Sequence, residues 1–239
     1  MTHVPSGRLE PHDSGITSRL NGLRAAVLGA NDGIVSTAAT VIGVAGVTNS
    51  VTPILVAGTA AVVGGSVSMA LGEYVSVSSQ RDSQRALIEK EREELRDDPE
   101  GEFLELVGLY EEKGLAPATA QRVAAELTEH DALAAHLSIE LNIDELEVAN
   151  PWQAAFASAA AFAVGAVLPL LTILLTPADL RVPLTFVAVL VALAITGAIS
   201  ARVGESSVPR AVTRLTIGGA LAMAFTYTVG TLLGTAGVG

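Results

Sequence analysis

The sequence AAVLGANDGIVSTAATVIGVAGV, residues 25–47, is apolar over most of its length but carries Asn31 and Asp32 near its middle. A helix needs about 20 such residues to cross the hydrocarbon core of a bilayer, and this stretch is long enough. Four later stretches have the same character. The sequence therefore predicts an all-α membrane protein with five transmembrane helices, the other four spanning residues 53–79, 152–176, 182–201 and 215–233.

The composition agrees with a membrane protein. Hydrophobic residues make up 50% of the 239 residues, and charged residues only 16%, where soluble domains have about 25%. The mean hydropathy is +0.49. The chain contains no cysteine, which excludes disulfides and thiolate ligands and leaves oxygen, imidazole and thioether groups for any metal chemistry. Residues 1–21 contain no apolar stretch, so we expect no cleavable signal peptide.

The basic residues predict the orientation, because Lys and Arg accumulate on the cytoplasmic side of membrane proteins. A cytoplasmic N-terminus places all basic residues except Arg181 on that side. We therefore expect a multi-pass protein of the cell (inner) membrane, with its C-terminus outside. The predicted domains are a cytoplasmic tail at 1–21, two spans within 22–80, a cytoplasmic acidic segment at 81–150 and three spans within 151–239.

The acidic segment, residues 81–150, holds 19 acidic and seven basic residues and thus the chain's whole excess negative charge. No Pro or Gly interrupts residues 76–96, so the second span should continue as one long helix. Pro99 is suited to begin a second helix, which should end near Gly114. Pro117 can begin a third helix, with a bend near Asp131. The segment is predicted to be a helical lobe.

Acidic residues recur in this lobe at spacings that place them on a shared helix face. Like charges at these spacings repel by a few tenths of a kcal/mol, a cost that a bound cation would relieve. An ordinary solvated helix face is the alternative, because spacing alone does not show that the helices converge. The candidate metal ligands are the pairs Glu91 and Glu94, Glu102 and Glu105, and His136 and Glu140.

Asp32 is the most unusual residue of the first span. A carboxylate near the centre of a transmembrane helix costs roughly 2.5 to 3.5 kcal/mol, and such groups usually face a bundle interior or a water-filled path. Asp32 should lie on the order of 10 Å from the cytoplasmic end of its span. The alternative is that Asn31 and Asp32 only bond neighbouring backbone or Ser36 and Thr37. If Asp32 is protonated, it is also a candidate proton carrier.

The second span offers Met69 and Glu73, which are four residues apart and share one helix face. With Asp32 they form a mixed set of carboxylate and thioether ligands, which suits iron(II) and manganese(II) better than calcium or magnesium. Ordinary packing is the alternative for Met69. Small residues should let the helices approach closely, at Gly29, Gly33, Gly64, Gly65, Gly72, Gly230 and Gly234.

Three stretches together resemble the vacuolar iron transporter family, specifically its prokaryotic members: LNGLRAAVLGANDGIVSTAATVIGVAG, SMALGEYVSVSSQRDSQ and EREELRDDPEGEFLELVGLYEEKGL. The resemblance implies a homodimer of five-helix protomers with a metal path between the first helices of the two subunits. It also implies export of iron(II) or related ions from the cytosol in exchange for protons. By this resemblance Asp32, Met69 and Glu73 fall on the path. The cytoplasmic metal-binding lobe is matched at Glu91, Glu94, Glu102, Glu105 and Glu140.

One departure from the family concerns the third lobe helix, where plant members carry methionines and this chain has His136 and Leu137. Manganese(II) therefore stands beside iron(II) as a cargo, with cobalt(II) and zinc(II) as further candidates. His3 and His12 lie in the polar tail and are expected to be solvated.

Two other function classes were weighed. A di-iron carboxylate oxidase would need Glu-x-x-His motifs on two helices, and the lobe has none, so an enzyme is not expected. A membrane-tethered metal sensor or buffer remains the alternative, although Asp32 and Glu73 count against a mere anchor. The sequence contains no phosphate-binding loop for ATP, and its acidic lobe is unsuited to nucleic acid.

Overall fold

The computed structural model describes residues 16–142 and 150–237, with side chains described from residue 25 onward. Within these ranges the regular structure is entirely helical. A π-helical turn, Leu137–Leu141, directly follows the fourth helix. The helices are α1 (Ile16–Val47), α2 (Val51–Asp97), α3 (Pro99–Glu112), α4 (Pro117–His136), α5 (Pro151–Leu175), α6 (Arg181–Val203) and α7 (Val208–Thr235).

Five helices are long and apolar enough to cross a membrane, namely α1 from Ala25, α2, α5, α6 and α7. The predicted all-α membrane protein is thus confirmed. The helix that carries the last predicted span begins ahead of the apolar stretch, at Val208, with Pro209 in its first turn. His3 and His12 lie outside the described residues.

The chain divides into two compact units. The first, here called the acidic unit, contains the described residues of Ser76–Asn150, together with the start of α1 up to Leu20. The second, here called the membrane unit, contains Asn21–Val75 and the described residues from Pro151 onward. The helix α2 contributes residues to both units.

The start and end of α3 follow local rules that the sequence already indicates. Asp98 caps its N-terminus by accepting a hydrogen bond from the backbone N of Gly101 at 3.0 Å, and Pro99 occupies the first turn. Gly114, with a φ of +96°, follows the C-cap in the left-handed conformation. The predicted start of this helix at Pro99 and its end near Gly114 are confirmed.

The helix α4 bends at Asp131, whose backbone is extended at φ −163° and ψ 97°. The Asp131 carboxylate accepts a hydrogen bond from the backbone N of Ala134 at 3.0 Å and so caps the second half of the helix. The predicted bend is confirmed. The π-helical turn that follows was not predicted, and it ends at Asn142 with a φ of 50°. Such turns are frequent at functional sites.

Two small apolar clusters hold the acidic unit together. Leu106 of α3 and Ala124 of α4 are fully buried against each other's helices. Ile88 of α2 packs with Leu137 of the π-helical turn. Burying one such leucine contributes about 1.5 to 3 kcal/mol, so these contacts fix α3 and α4 against the later part of α2.

Glycines bring helices of the membrane unit into backbone contact. Gly33 of α1 lies against the carbonyl of Phe162 on α5, and Gly230 of α7 lies against the carbonyl of Gly43 on α1. A side chain at either position would collide with backbone, so only glycine fits. The expected close approach also holds for Gly29, Gly65 and Gly234. Gly64 and Gly72, in contrast, face open space in the single chain.

Threonine hydroxyls within the spans bond to their own helices. Thr228 donates to the carbonyl of Ala224 at 2.8 Å, and Thr216 donates to that of Val212 at 2.8 Å. Lipid offers no hydrogen-bond partner, so this internal bond satisfies the hydroxyl. Similar bonds are made by Thr40, Thr172, Thr176, Thr226, Thr231 and Thr235.

Candidate metal-binding sites

Three helices of the acidic unit bring potential metal ligands to one point. Glu91 of α2, Glu102 of α3 and His136 of α4 offer ligand atoms that all lie within 4.8 Å of one another. The His136 Nδ1 atom is 3.0 Å from Glu91 Oε1, 3.6 Å from Glu102 Oε2 and 3.9 Å from Glu140 Oε2. Four of the six lobe residues singled out from the sequence therefore converge.

Packing explains why these side chains point inward. Ile88 lies one helical turn before Glu91, and its contact with Leu137 turns this face of α2 toward the π-helical turn, next to His136. The side chains of His136 and Glu91 are only 1% and 4% exposed, whereas that of Glu140 is 30% exposed. The cluster of Glu91, Glu102, His136 and Glu140 is therefore shielded from solvent at Glu91 and His136 and more accessible to solvent at Glu140.

Two atoms of this cluster lack the hydrogen bonds that buried polar atoms normally have. Glu91 Oε1 and His136 Nδ1 are both buried, and although 3.0 Å apart they do not meet with hydrogen-bond geometry. Buried polar atoms without partners are costly and uncommon. A carboxylate oxygen and an imidazole nitrogen that face the same small space form an arrangement that a cation would satisfy.

The electrostatics of the cluster are those of crowded carboxylates. Burial raises the pKa of Glu91 to about 7, and the neighbouring charges of Glu140 and Glu102 add to this rise. Burial also raises the pKa of Glu102, followed by repulsion from Glu105, while His136 acts in the opposite direction. Because each carboxylate makes the ionisation of the next one harder, a divalent cation would compete with a proton for this site.

The remaining two predicted lobe ligands are not among the converging atoms. Glu94 accepts hydrogen bonds from Lys90 Nζ at 2.7 and 2.8 Å, and this bond raises the pKa of Lys90. Glu105 is exposed on α3 and acts on Glu91 and Glu102 through its charge. Lys90 was not among the residues predicted to matter here, although its spacing of four residues from Glu94 indicates such a pair.

In the membrane unit, Asp32 is half-buried on α1 and accepts a hydrogen bond from Ser36 Oγ at 2.6 Å. This is the local bond weighed as the alternative for this motif. In the described part of the chain, the neighbouring Asn31 Oδ1 and the Thr37 hydroxyl are buried without hydrogen-bond partners. The neighbouring residues Asn31 and Asp32 therefore combine a hydrogen-bonded carboxylate with an amide oxygen that has no hydrogen bond.

Met69 and Glu73 are half-buried on α2. Glu73 has no ion pair among the residues that the structure describes. Tyr74, the next residue, packs its ring against Trp152 of α5 with 4.7 Å between ring centroids, which fixes this part of α2 within the membrane unit. The assignment of Asp32, Met69 and Glu73 to one common path stays a prediction.

Comparison with known proteins places these two sites in context. The model of the VIT family matches residues 23–231. The chain belongs to the VIT family. The vacuolar iron transporter of Acanthamoeba castellanii is 45% identical over 217 residues, covering 88% of this chain and 78% of that protein. Vacuolar iron transporter homolog 5 of Oryza sativa subsp. japonica is 34% identical over 224 residues, covering 93% of this chain and 86% of that protein.

Membership of the VIT family confirms the resemblance found in the sequence. The family is one of transporters, so the chain is a multi-pass membrane transporter and not an enzyme. A further relative is vacuolar iron transporter homolog 2.1 of Arabidopsis thaliana, 33% identical over 230 residues and covering 96% of this chain and 89% of that protein. These relatives come from an amoeba and two plants, so the prokaryotic subgroup stays a prediction.

Proposed function

We propose that this VIT-family protein moves iron(II) or manganese(II) out of the cytosol in exchange for protons, with cobalt(II) and zinc(II) as further cargoes. The convergence of Glu91, Glu102 and His136 in a membrane transporter carries the proposal. Relatives named vacuolar iron transporters support iron as the cargo.

The proposed role of the acidic unit is to bind metal on the cytosolic side before its transport. Carboxylates of Glu91, Glu102 and Glu140 would supply oxygen ligands, and His136 would supply one nitrogen. This mixed set suits iron(II), manganese(II) and zinc(II), and it lacks the thioether that would favour softer ions. Glu105 would contribute through its charge, and Glu94 would join the ligands only after releasing Lys90.

The proposed path through the membrane uses Asp32, Met69 and Glu73. The Asp32 carboxylate and the unsatisfied Asn31 amide would offer oxygen atoms to a passing ion, and Asp32 would also carry the exchanged proton. We infer that the functional form is a homodimer with the path between the two α1 helices. Gly64 and Gly72 of α2, which face open space in one chain, leave room for a second copy.

The proposed orientation places residues 1–21 and 81–150 in the cytosol and the C-terminus outside. It rests on the distribution of basic residues, of which only Arg181 falls on the outer side. The proposed location is the cell (inner) membrane, and the named relatives add a vacuolar membrane as an alternative.

Transport by the purified protein in proteoliposomes tests this function. Uptake of iron(II), manganese(II), cobalt(II) and zinc(II) would be followed by a fluorescent chelator trapped inside, with and without an acidic interior. We expect uptake of iron(II) and manganese(II), accelerated by the acidic interior because protons leave as metal enters. Equal rates with and without the gradient would contradict proton exchange.

Calorimetric titration with manganese(II) separates the role of the acidic unit from transport itself. The Glu102→Ala, Glu105→Ala double variant should lose metal binding, whereas Glu111→Ala, Glu112→Ala, at the exposed end of the same helix, should bind like the wild type. Identical binding in both double variants would make Glu102 and Glu105 a solvated face. Binding without flux in any gradient would identify a tethered sensor or buffer instead.

A further inference from the structure

Arg181 is a buried cation that the proposed transport path does not use. It is the first residue of α6, and only 5% of its surface is exposed. In the proposed orientation it is the one basic residue on the outer side of the membrane. Arginine in a membrane protein is costly to bury and usually has a functional reason.

The partners of Arg181 do not balance its charge. Its Nη1 donates a hydrogen bond to the backbone carbonyl of Asn49 at 3.0 Å, and its Nε is buried with no hydrogen-bond partner among the described residues. No carboxylate pairs with it in the part of the chain that the structure describes. A buried charge that lacks a countercharge destabilises the fold, so pairing within the chain does not explain this residue.

The groups around Arg181 would by themselves attract a metal cation. The helix α1 ends at Val47, just before Asn49, and α7 ends nearby, where Gly234 packs against Val47. The free carbonyls at helix C-termini carry partial negative charge. A cavity of about 450 Å³ opens at this end, and the polar residues of its lining are Asn49, Asp179 and Tyr227.

We propose that Arg181 is a fixed counter-cation at the release end of the transporter, which weakens the binding of departing metal there and limits its return. This inference rests on the proposed function. Asp32 precedes Asn49 by 17 residues of α1 and its following loop, or about 25 Å at helical rise, so Arg181 acts on release and not on loading. Metal that reaches the carbonyls and Asp179 meets a positive charge already in place.

Inhibition by released metal measures this role directly. Initial manganese(II) uptake into proteoliposomes would be recorded against manganese(II) preloaded inside, for the wild type, Arg181→Gln and Arg181→Lys. We expect Arg181→Gln to lower the half-inhibitory internal concentration about tenfold, because one positive charge near the departing ion is lost. The half-saturating external concentration should stay unchanged, and Arg181→Lys should behave like the wild type.

Two controls keep the test decisive. Arg210→Gln removes an exposed arginine near the start of α7, at the other end of the helices, and should leave internal inhibition unchanged. Asp179→Asn changes an exposed residue that lines the cavity, and should raise the half-inhibitory concentration even if Arg181→Gln fails to fold. Unchanged inhibition in Asp179→Asn, or in a folded Arg181→Gln, would overturn the inference. Absence of flux in the wild type would overturn the proposed function, and this inference with it.

Discussion

The two units of this transporter arrange their acidic residues in opposite ways. In the acidic unit, the apolar contacts of Leu106 and Ile88 pack α3, α4 and the later part of α2 together and bring Glu91 within 3.0 Å of His136. In the membrane unit, helices contact through glycine and backbone, and the Asp32 carboxylate accepts a hydrogen bond from Ser36 of its own helix. The first arrangement is suited to holding an ion. The second is suited to passing one on, because conduction requires sites that release what they bind.

The largest effect on metal flux should come from replacing Asp32, which tests whether transport through the membrane unit requires this carboxylate. We expect Asp32→Ala to abolish metal flux in proteoliposomes and to leave the protein folded in its proposed dimeric state, because among the described residues the Asp32 carboxylate bonds to Ser36 of its own helix and to no second helix. Size-exclusion chromatography in detergent would check the fold.

Ser36→Ala is the matched control, because it removes the hydrogen bond to Asp32 but keeps the carboxylate. Flux should fall less in this variant than in Asp32→Ala. Near-normal flux in Asp32→Ala would show that Asp32 is not needed for transport. The proposed difference between an ion-holding unit and an ion-passing unit would then fail.

A smaller effect is expected from acidification of the acidic unit. Glu91 must be ionised to bind metal, and its pKa lies at about 7. Manganese(II) affinity measured by calorimetry should therefore weaken about tenfold per pH unit as the pH falls below 7. Glu91→Gln should bind weakly, with little dependence on pH near 7. Wild-type affinity that is constant from pH 8 to pH 6 would contradict this role.

The same residue has the opposite effect on the metal-free fold. The pKa of Glu91 in the folded state is raised above its ordinary value of 4.5, so its protonated form adds stability below about pH 4.5, and this contribution is lost as the pH rises through 7. Glu91→Gln imitates the protonated form. With a chelator present at pH 8, Glu91→Gln should slow hydrogen exchange in α3. Faster exchange than in the wild type would contradict the claim that the buried charge of Glu91 destabilises the metal-free fold.

The smallest effect is expected from Met69→Leu, which preserves volume. Such a change usually costs less than about 1.5 kcal/mol, so stability should hold. The loss of the thioether should shift the ratio of iron(II) to manganese(II) flux, measured in competition, because soft ligands favour transition metals unequally. An unaltered ratio would show that Met69 only packs, and that the membrane path is built from oxygen ligands alone.

Local signals in the sequence predicted much of the fold. Pro99, Gly114 and Asp131 begin, end or bend helices through their own backbone preferences, so their effects could be seen without any tertiary contact. The five spans followed from length and hydropathy. The spacing within acidic pairs marked Glu91, Glu102 and His136 as candidate ligands but could not predict that they converge.

The features that could not be predicted from the sequence depend on contacts between side chains or between helices. The exclusion of Glu94 from the centre follows from its bond to Lys90, which a search for acidic pairs overlooks. The burial of Arg181 depends on the chain folding Asn49 against α6. Gly64 and Gly72 matched the pattern of small residues, yet a Cβ added at either would meet no atom of another described segment within 4 Å.

The bonds between threonine hydroxyls and their own helix also affect how the protein enters the membrane. During insertion a span can meet lipid before it packs against neighbouring helices, so its hydroxyl groups must then be satisfied from within the same helix. In α7, Thr216, Thr228 and Thr231 each donate to a carbonyl three or four residues earlier. The last span can therefore insert on its own despite its many hydroxyls, and its biogenesis does not need to wait for the assembly of the other helices.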